Sequence, residues 1–324
     1  MSLARAWALV ALSALAFSDS APAQGTAPTA RPVTLVVPIA AGGGMDTLGR
    51  HLAERLQERL HQSVVVENRT GGGGVIGADS VVRAAPDGQT LLLMDVSTVL
   101  HKWLHRTVPF DVTQDFTPIA MVATTPLMLF ALTSFPASDI KELIAYAKAN
   151  PGKLSVGTPG AGSPHHLAML TLNAAAKIDI THVPYRGTAP SLNDLLSGQI
   201  PLIWATPVAL LPHVESGKVK ALGTASLKRN AMFPNVPTVA ENALPGFNVD
   251  IWFGVSGPAN LPPDLSGRLA QTLREITAQD DLQRKLSALG YAFDYRPGDG
   301  FREVILKDHE RYGAVIRDAG IQPN

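Results

Sequence analysis

A short β-type run, a glycine-rich turn and an amphipathic helix follow one another twice in this chain. That repeat confines the fold to α/β layers. The first copy passes from Leu35-Val36-Val37 through Pro38 and Gly42-Gly43-Gly44 into a helical stretch ending near Leu60. The second passes from Leu154-Ser155-Val156 through Gly157, Gly160, Gly162 and Ser163 into a helical stretch ending at Ala176. In the first helix Leu48, Leu52, Leu56 and Leu60 recur at every fourth position, while Arg50, Glu54, Gln57 and Glu58 lie off that stripe. A turn that opens onto a helix N-terminus leaves backbone N–H groups without partners, and such groups suit an anion. Two seats far apart in the sequence suggest two domains closing on one small acid.

The same alternation runs through the chain. Strands are expected over 33–37, 64–67, 90–94, 119–123, 127–132, 153–156, 181–183, 200–204, 219–224 and 250–255. Helices are expected over 46–61, 75–84, 140–149, 165–176, 189–196, 263–278, 280–289 and 300–319. This order is the signature of parallel sheets covered by helices. Two apolar crossings, near 124–126 and 249–252, divide the chain into a domain of 31–124 plus 252–324 and a domain of 125–251.

The first residues read differently. Arg5, an apolar run over 6–17 and Ala21-Pro22-Ala23 have the order of a secretory signal peptide covering 1–23. That run is too short to span a bilayer, which needs roughly 18 residues, and no later apolar segment reaches that length. Export predicts a periplasmic location. The chain has no cysteine, which excludes thiolate nucleophiles, thiolate metal sites and a lipidated N-terminal cysteine. Lys plus Arg and Asp plus Glu each number 27, so net charge gives no support to nucleic-acid or anionic-membrane binding.

Several motifs have two readings. Gly72, Gly74 and Gly77 fit G-x-G-x-x-G after a strand, and Asp95 ends the next strand. That pattern is a dinucleotide fingerprint, and it makes an oxidoreductase the alternative reading. A glycine loop preceding it and a run of four glycines weaken that reading. Ser163 fits an N-cap before Pro164, and G-x-S-x-G does not occur, which argues against a hydrolase. His101 and His105 stand at i, i+4, yet they lack the intervening Glu and a third ligand. A surface helix is expected there, with no metal and no cofactor. Arg186, beside Tyr185, has the chemistry to meet a carboxylate.

A longer series of motifs is shared with a known family. It comprises Arg31-Pro32-Val33-Thr34-Leu35-Val36-Val37-Pro38 with Gly42-Gly43 and Asp46, then Val66-Glu67-Asn68-Arg69 with Gly71–Gly74 and Gly77. Pro86-Asp87-Gly88, Pro118-Ile119-Ala120, His182-Val183-Pro184-Tyr185-Arg186-Gly187 and Ser216-Gly217-Lys218-Val219-Lys220-Ala221-Leu222 follow. Pro234-Asn235-Val236-Pro237-Thr238-Val239-Ala240-Glu241, Trp252-Phe253-Gly254 and Pro258-Ala259 complete it. In this order the motifs resemble the tripartite tricarboxylate transporter receptors, the Bug-type extracytoplasmic solute-binding proteins.

The resemblance implies a type II periplasmic-binding-protein fold, with a carboxylated solute held between two α/β domains by backbone amides and ordered water. It implies delivery to membrane permease subunits, or a sensor role for the same fold, by a monomer without catalysis. Many relatives carry an Asp after an aromatic where this chain has Trp204-Ala205-Thr206. A ligand ammonium therefore lacks its partner, and a mono- or dicarboxylate, or an aromatic acid stacked near a Trp, fits better. The candidate ligand-binding residues are Ala41, Gly42, Gly43, Gly44 and Asp46 of the first loop, with Gly73 and Ser97 beside it. From the second half come Thr158, Gly160, Ser163, His165, Tyr185, Arg186, Ala205 and Thr206.

Overall fold

The computed structural model describes residues 31–323; the expected signal peptide lies outside them. The chain begins with β1 (Val33–Val37), α1 (Gly44–Leu60), β2 (Val64–Asn68), α2 (Val75–Val82), β3 (Thr90–Asp95), α3 (Val96–Leu104) and β4 (Phe116–Pro126). It continues through β5 (Met128–Leu132), α4 (Ile140–Ala149), β6 (Ser155–Thr158), α5 (Pro164–Ala176), β7 (Thr181–Pro184), α6 (Thr188–Leu196), β8 (Leu202–Ala205), α7 (Pro207–Glu215) and β9 (Val219–Thr224). It closes with α8 (Val239–Asn242), β10 (Asp250–Pro258), α9 (Pro263–Thr277), α10 (Asp280–Ser287), β11 (Ala292–Pro297) and α11 (Gly298–Asp318).

These strands form two sheets. Six are ordered β11-β4-β10-β3-β1-β2, and five are ordered β7-β6-β8-β5-β9. Each sheet, with its helices, makes one α/β lobe. The expected strand segments are present, but the sheets are mixed, not parallel. β1 runs parallel to β2 and β3, whereas β10 is antiparallel to both β3 and β4. In the second sheet β6 is parallel to β7 and β8, while β5 is antiparallel to β8 and β9. The cause is the route of the chain. It leaves the first lobe along β4 and returns along β10, its neighbour, so those two strands must run in opposite directions. β5 and β9 repeat that logic as entry and exit of the second lobe.

Where the chain passes between the sheets, three segments are laced together. Ala225 N donates to Leu127 O at 2.8 Å, and Val249 N donates to Ala225 O at 2.9 Å. Leu127, Ala225 and Val249 are all buried, so the two crossings are hydrogen-bonded into one extended ribbon.

Hydrophobic patterning decides the rest. Leu35, Val36 and Val37 are fully buried, as are Leu48 and Leu52 on the face of α1 turned to the sheet. Each such side chain contributes about 1.5–3 kcal/mol by leaving water. β11 is a strand that the apolar pattern does not predict, because Asp294, Arg296 and Pro297 interrupt that pattern at a sheet edge. Among the described residues no helix is long and apolar enough to cross a membrane.

Candidate functional site

The loop from β1 to α1 is shaped by one carboxylate. Asp46 lies in the first turn of α1, almost fully buried, and its Oδ2 accepts from Gly42 N at 2.9 Å and from Arg50 Nε at 3.0 Å. Its Oδ1 accepts from Asn68 Nδ2 at 2.9 Å, and the same amide donates to Ile39 O at 3.1 Å. Burial raises the Asp46 carboxyl, yet the Gly42, Arg50 and Asn68 hydrogen bonds prevail and hold it below the ordinary carboxylate value. Asp46 thus faces inward and clamps the loop; it does not cap the helix. Gly42 follows with a φ of +85°, a left-handed turn that favours glycine.

Beside it stands the four-glycine turn. Gly71, Gly72, Gly73 and Gly74 all have positive φ, and Gly74 N closes the turn onto Gly71 O at 3.0 Å. Gly77 packs α2 against the first loop: a Cβ there would lie 2.7 Å from Arg69 O and 2.9 Å from Pro38 Cβ. Gly77→Ala is therefore expected to push Pro38 out of place, at about 1–3 kcal/mol of stability, measured by denaturant titration. Asp95, the residue suited to a ribose, is spent otherwise. It caps α3 by accepting from Ser97 N at 2.9 Å, and loss of solvent pushes it up to about 6. The glycine spacing serves close packing and a turn, and the dinucleotide pattern loses its acid.

The second lobe offers a matching wall. Ser163 caps α5: its hydroxyl accepts from His166 N at 3.3 Å and donates to Gly160 O at 2.7 Å. Thr158 is buried, its hydroxyl 2.6 Å from His182 Nε2. His166 Nδ1 accepts the Gly162 N–H at 3.1 Å, and its ring stacks on His182 with centroids 3.8 Å apart. Burial first, then the His182 neighbour, push His166 down to about 4.

Between these walls lies a cavity of about 740 Å³. From the first lobe it is lined by Pro38–Ala40, Thr70, Gly71, Gly73, Gly74, Ser97, His101, Leu104 and His105; from the second by Pro159–Ser163 and His166. Ile321 and Gln322, just past α11, complete it. Across the gap Leu104 touches the second loop, where a Cβ on Gly162 would lie 2.8 Å from Leu104 Cδ1.

Of the candidate residues, Gly73, Ser97, Gly160 and Ser163 line this cavity, and Ala41, Gly42 and Gly44 are exposed next to Ala40. Gly43 is the N-cap of α1. His165 is buried with both ring nitrogens unpartnered among the described residues, while its neighbour His166 takes the wall. Tyr185 donates to Asp194 Oδ2 at 2.7 Å, which, after burial, helps push it up to about 12, and Arg186 is exposed. Ala205 is buried, and Thr206 opens α7 without a side-chain cap. Trp204 is fully buried in the second lobe, and among the described residues lining the cavity there is no Trp.

The expected surface helix over 101–105 is also corrected. His101 is 4% exposed, and its Nε2 meets Gly73 O at 3.1 Å, so that nitrogen carries the proton. Burial pushes this imidazole down to about 4. The i, i+4 spacing was legible; its role as wall of a cleft was not. Among the described residues no group of three or more His, Asp or Glu is placed to hold a metal.

Two mixed α/β lobes joined by paired crossings, with opposed glycine loops across a cleft, define a solute-binding protein of the type II periplasmic class. The comparisons with known proteins make this specific. Residues 48–321 match the model of the tripartite tricarboxylate transporter family receptor, and the chain belongs to that family. It is 33% identical to the protein BugT of Bordetella pertussis over 322 residues, which cover 99% of each chain. Among solved structures it is similar to the periplasmic binding protein BugD, at 34% identity and a TM-score of 0.77 over 91% of this chain and 99% of that one. An R. palustris protein solved with adipate gives 32% identity and a TM-score of 0.79 over the same shares.

Proposed function

We propose that this protein captures a small carboxylate in the periplasm and presents it to membrane permease subunits, without catalysing a reaction. Its N-terminal 1–23 would direct export, and it would act as a monomer. The lobes would be 31–124 plus 252–324 and 125–251, closing about the ribbon at Leu127, Ala225 and Val249. Ala41, Gly43 and Gly44 on one side, and Gly160 and Ser163 on the other, would place amides and hydroxyls on the solute. Membership of a receptor family, and a relative solved with adipate, support the reading.

The single observation that carries it is the pairing of two glycine loops across a cavity without any Asp, Glu, Lys or Arg among its described lining residues. With no ion pair available, recognition falls to N–H donors. Hydrogen bonds to a charged group are worth about 1.5–3 kcal/mol each. Four or five of them, set against an association cost of at least about 4 kcal/mol, reach the roughly 8 kcal/mol of a micromolar complex. Calorimetry of the mature protein against a panel of organic acids should give one-to-one binding with the solute recovered unchanged. Flat traces for every acid, or consumption of the solute, would overturn it.

A further inference from the structure

The groups that reach the solute beyond its seated carboxylate are also legible in the cleft. Its ionisable side chains among the described residues are three imidazoles: His101 and His105 from the first lobe, His166 from the second. Two of them have assigned tautomers. A carbonyl only accepts, so His101 must donate from Nε2 to Gly73 O. An amide N–H only donates, so His166 must accept Gly162 N at Nδ1, and its proton therefore sits on Nε2. That Nε2–H meets no acceptor among the described residues and is not one of the buried orphan atoms. The stack on His182 fixes the plane of the ring, and the Gly162 bond fixes its rotation. The result is a rigid, neutral donor on the wall of the cleft.

We propose that His166 is a specificity-determining residue, donating from Nε2 to a second oxygen acceptor on the solute and so selecting against a solute that carries an ammonium there. The inference rests on the carboxylate-binding reading. With no carboxylate among the described lining residues, an ammonium finds no counter-charge in the cavity, and a locked N–H donor facing it adds repulsion. A second carboxylate or carbonyl oxygen instead receives a preorganised hydrogen bond, at little further loss of freedom.

The test uses the mature protein and three length-matched sets of solutes with four to eight carbons: α,ω-dicarboxylates, the corresponding monocarboxylates and the ω-amino acids. Wild type should bind at least one dicarboxylate about 10- to 100-fold more tightly than its monocarboxylate partner, with the ω-amino acid weakest. His166→Phe keeps a ring to stack on His182 and removes the donor, and it should bring that ratio close to one. His166→Gln, which both accepts and donates, should restore most of it. A role confined to holding the Gly162 loop would weaken all three sets alike and leave the ratio unmoved. His182 of β7 stacks on His166, His165 precedes it on α5, and His101 and His105 line the same cavity from the first lobe. A neutral donor keeps the preference constant from about pH 8 to about pH 6, whereas an imidazolium would strengthen it as pH falls. An unchanged ratio in His166→Phe, or a wild-type preference for monocarboxylates or ω-amino acids, overturns the proposal alone. Failure to bind any of the acids defeats the carboxylate reading with it.

Discussion

Asp46→Ala is expected to lower stability by about 3 kcal/mol and to abolish solute binding at concentrations that saturate the wild type. The carboxylate is the meeting point of three donors: Gly42 N, Arg50 Nε and Asn68 Nδ2. Alanine leaves the part-buried Asn68 amide short of an acceptor, at about 1–3 kcal/mol, and loses the charge-assisted hydrogen bond from the exposed Gly42 amide, which recovers water in its place at a smaller cost. Arg50 is more than half exposed and recovers water, so its share is small. The functional loss is larger than the stability loss because the Asp46–Asn68–Ile39 link sets the path of the loop carrying Ala40 to Gly44. Once the loop is free, its amides no longer converge, and ordering them again is charged against every binding event. Thermal unfolding should fall by roughly 6–12 °C, and calorimetry with an acid that binds wild type should give no heat.

The pH dependence of that difference is a second check on the same residue. The hydrogen bonds from Gly42, Arg50 and Asn68 hold the Asp46 carboxyl below the ordinary carboxylate value in the folded protein. A depressed carboxylate contributes stability above its unfolded value, and loses it as pH falls through the folded one. The gap between wild type and Asp46→Ala should therefore be full at neutral pH and shrink below about pH 4. A gap that stays constant into acid would show that packing, not the ionised clamp, carries the effect.

How much of this was legible beforehand differs by level. The stripe of Leu48, Leu52 and Leu56 and the β-branched run before Pro38 are local patterns with one physical outcome, so β1 and α1 could be read directly. Strand direction could not, because β4 and β10 are partners only through the route of the whole chain. Glycine loops marked where the cleft would lie, since glycine takes the positive φ seen at Gly42, at Gly71 to Gly74 and at Gly162 without strain. Side-chain roles inside the loops were hidden for a different reason. Asp46 near a helix start reads equally as cap, dipole partner or ligand contact, and the choice depends on Asn68 arriving from β2. His101 looked exposed because its neighbours Lys102 and Arg106 are polar, yet the helix turns it onto Gly73. Ile321 and Gln322 carry no motif at all; they enter the cleft because α11 ends beside it.

Gly254→Ala should be the most damaging single methyl in the first lobe. Gly254 sits mid-strand in β10, paired with Met94 on one side and Met121 on the other, so it cannot shift sideways. A Cβ there would lie 2.2 Å from Phe301 Cζ and 2.4 Å from Phe301 Cε1, where carbon atoms pack at about 3.5–4.0 Å. Phe301 is fully buried, with its ring edge-on to Trp252 at 5.2 Å, so it has no space to retreat into. The strain passes to α11. That helix is tied to the same strand by Asp308 Oδ2, which accepts from Trp252 Nε1 at 2.8 Å. Lifting α11 weakens a buried hydrogen bond as well as the packing, for a loss of about 3 kcal/mol in denaturant titration. Because Ile321 and Gln322 follow α11 into the cleft, solute affinity should fall too, although no residue of the cleft has changed. Phe301→Leu opens space against the new methyl, so Gly254→Ala with Phe301→Leu should be more stable than the sum of the two separate losses predicts. Strict additivity would mean that the ring and the glycine do not share one space, and the account of how α11 docks would fail.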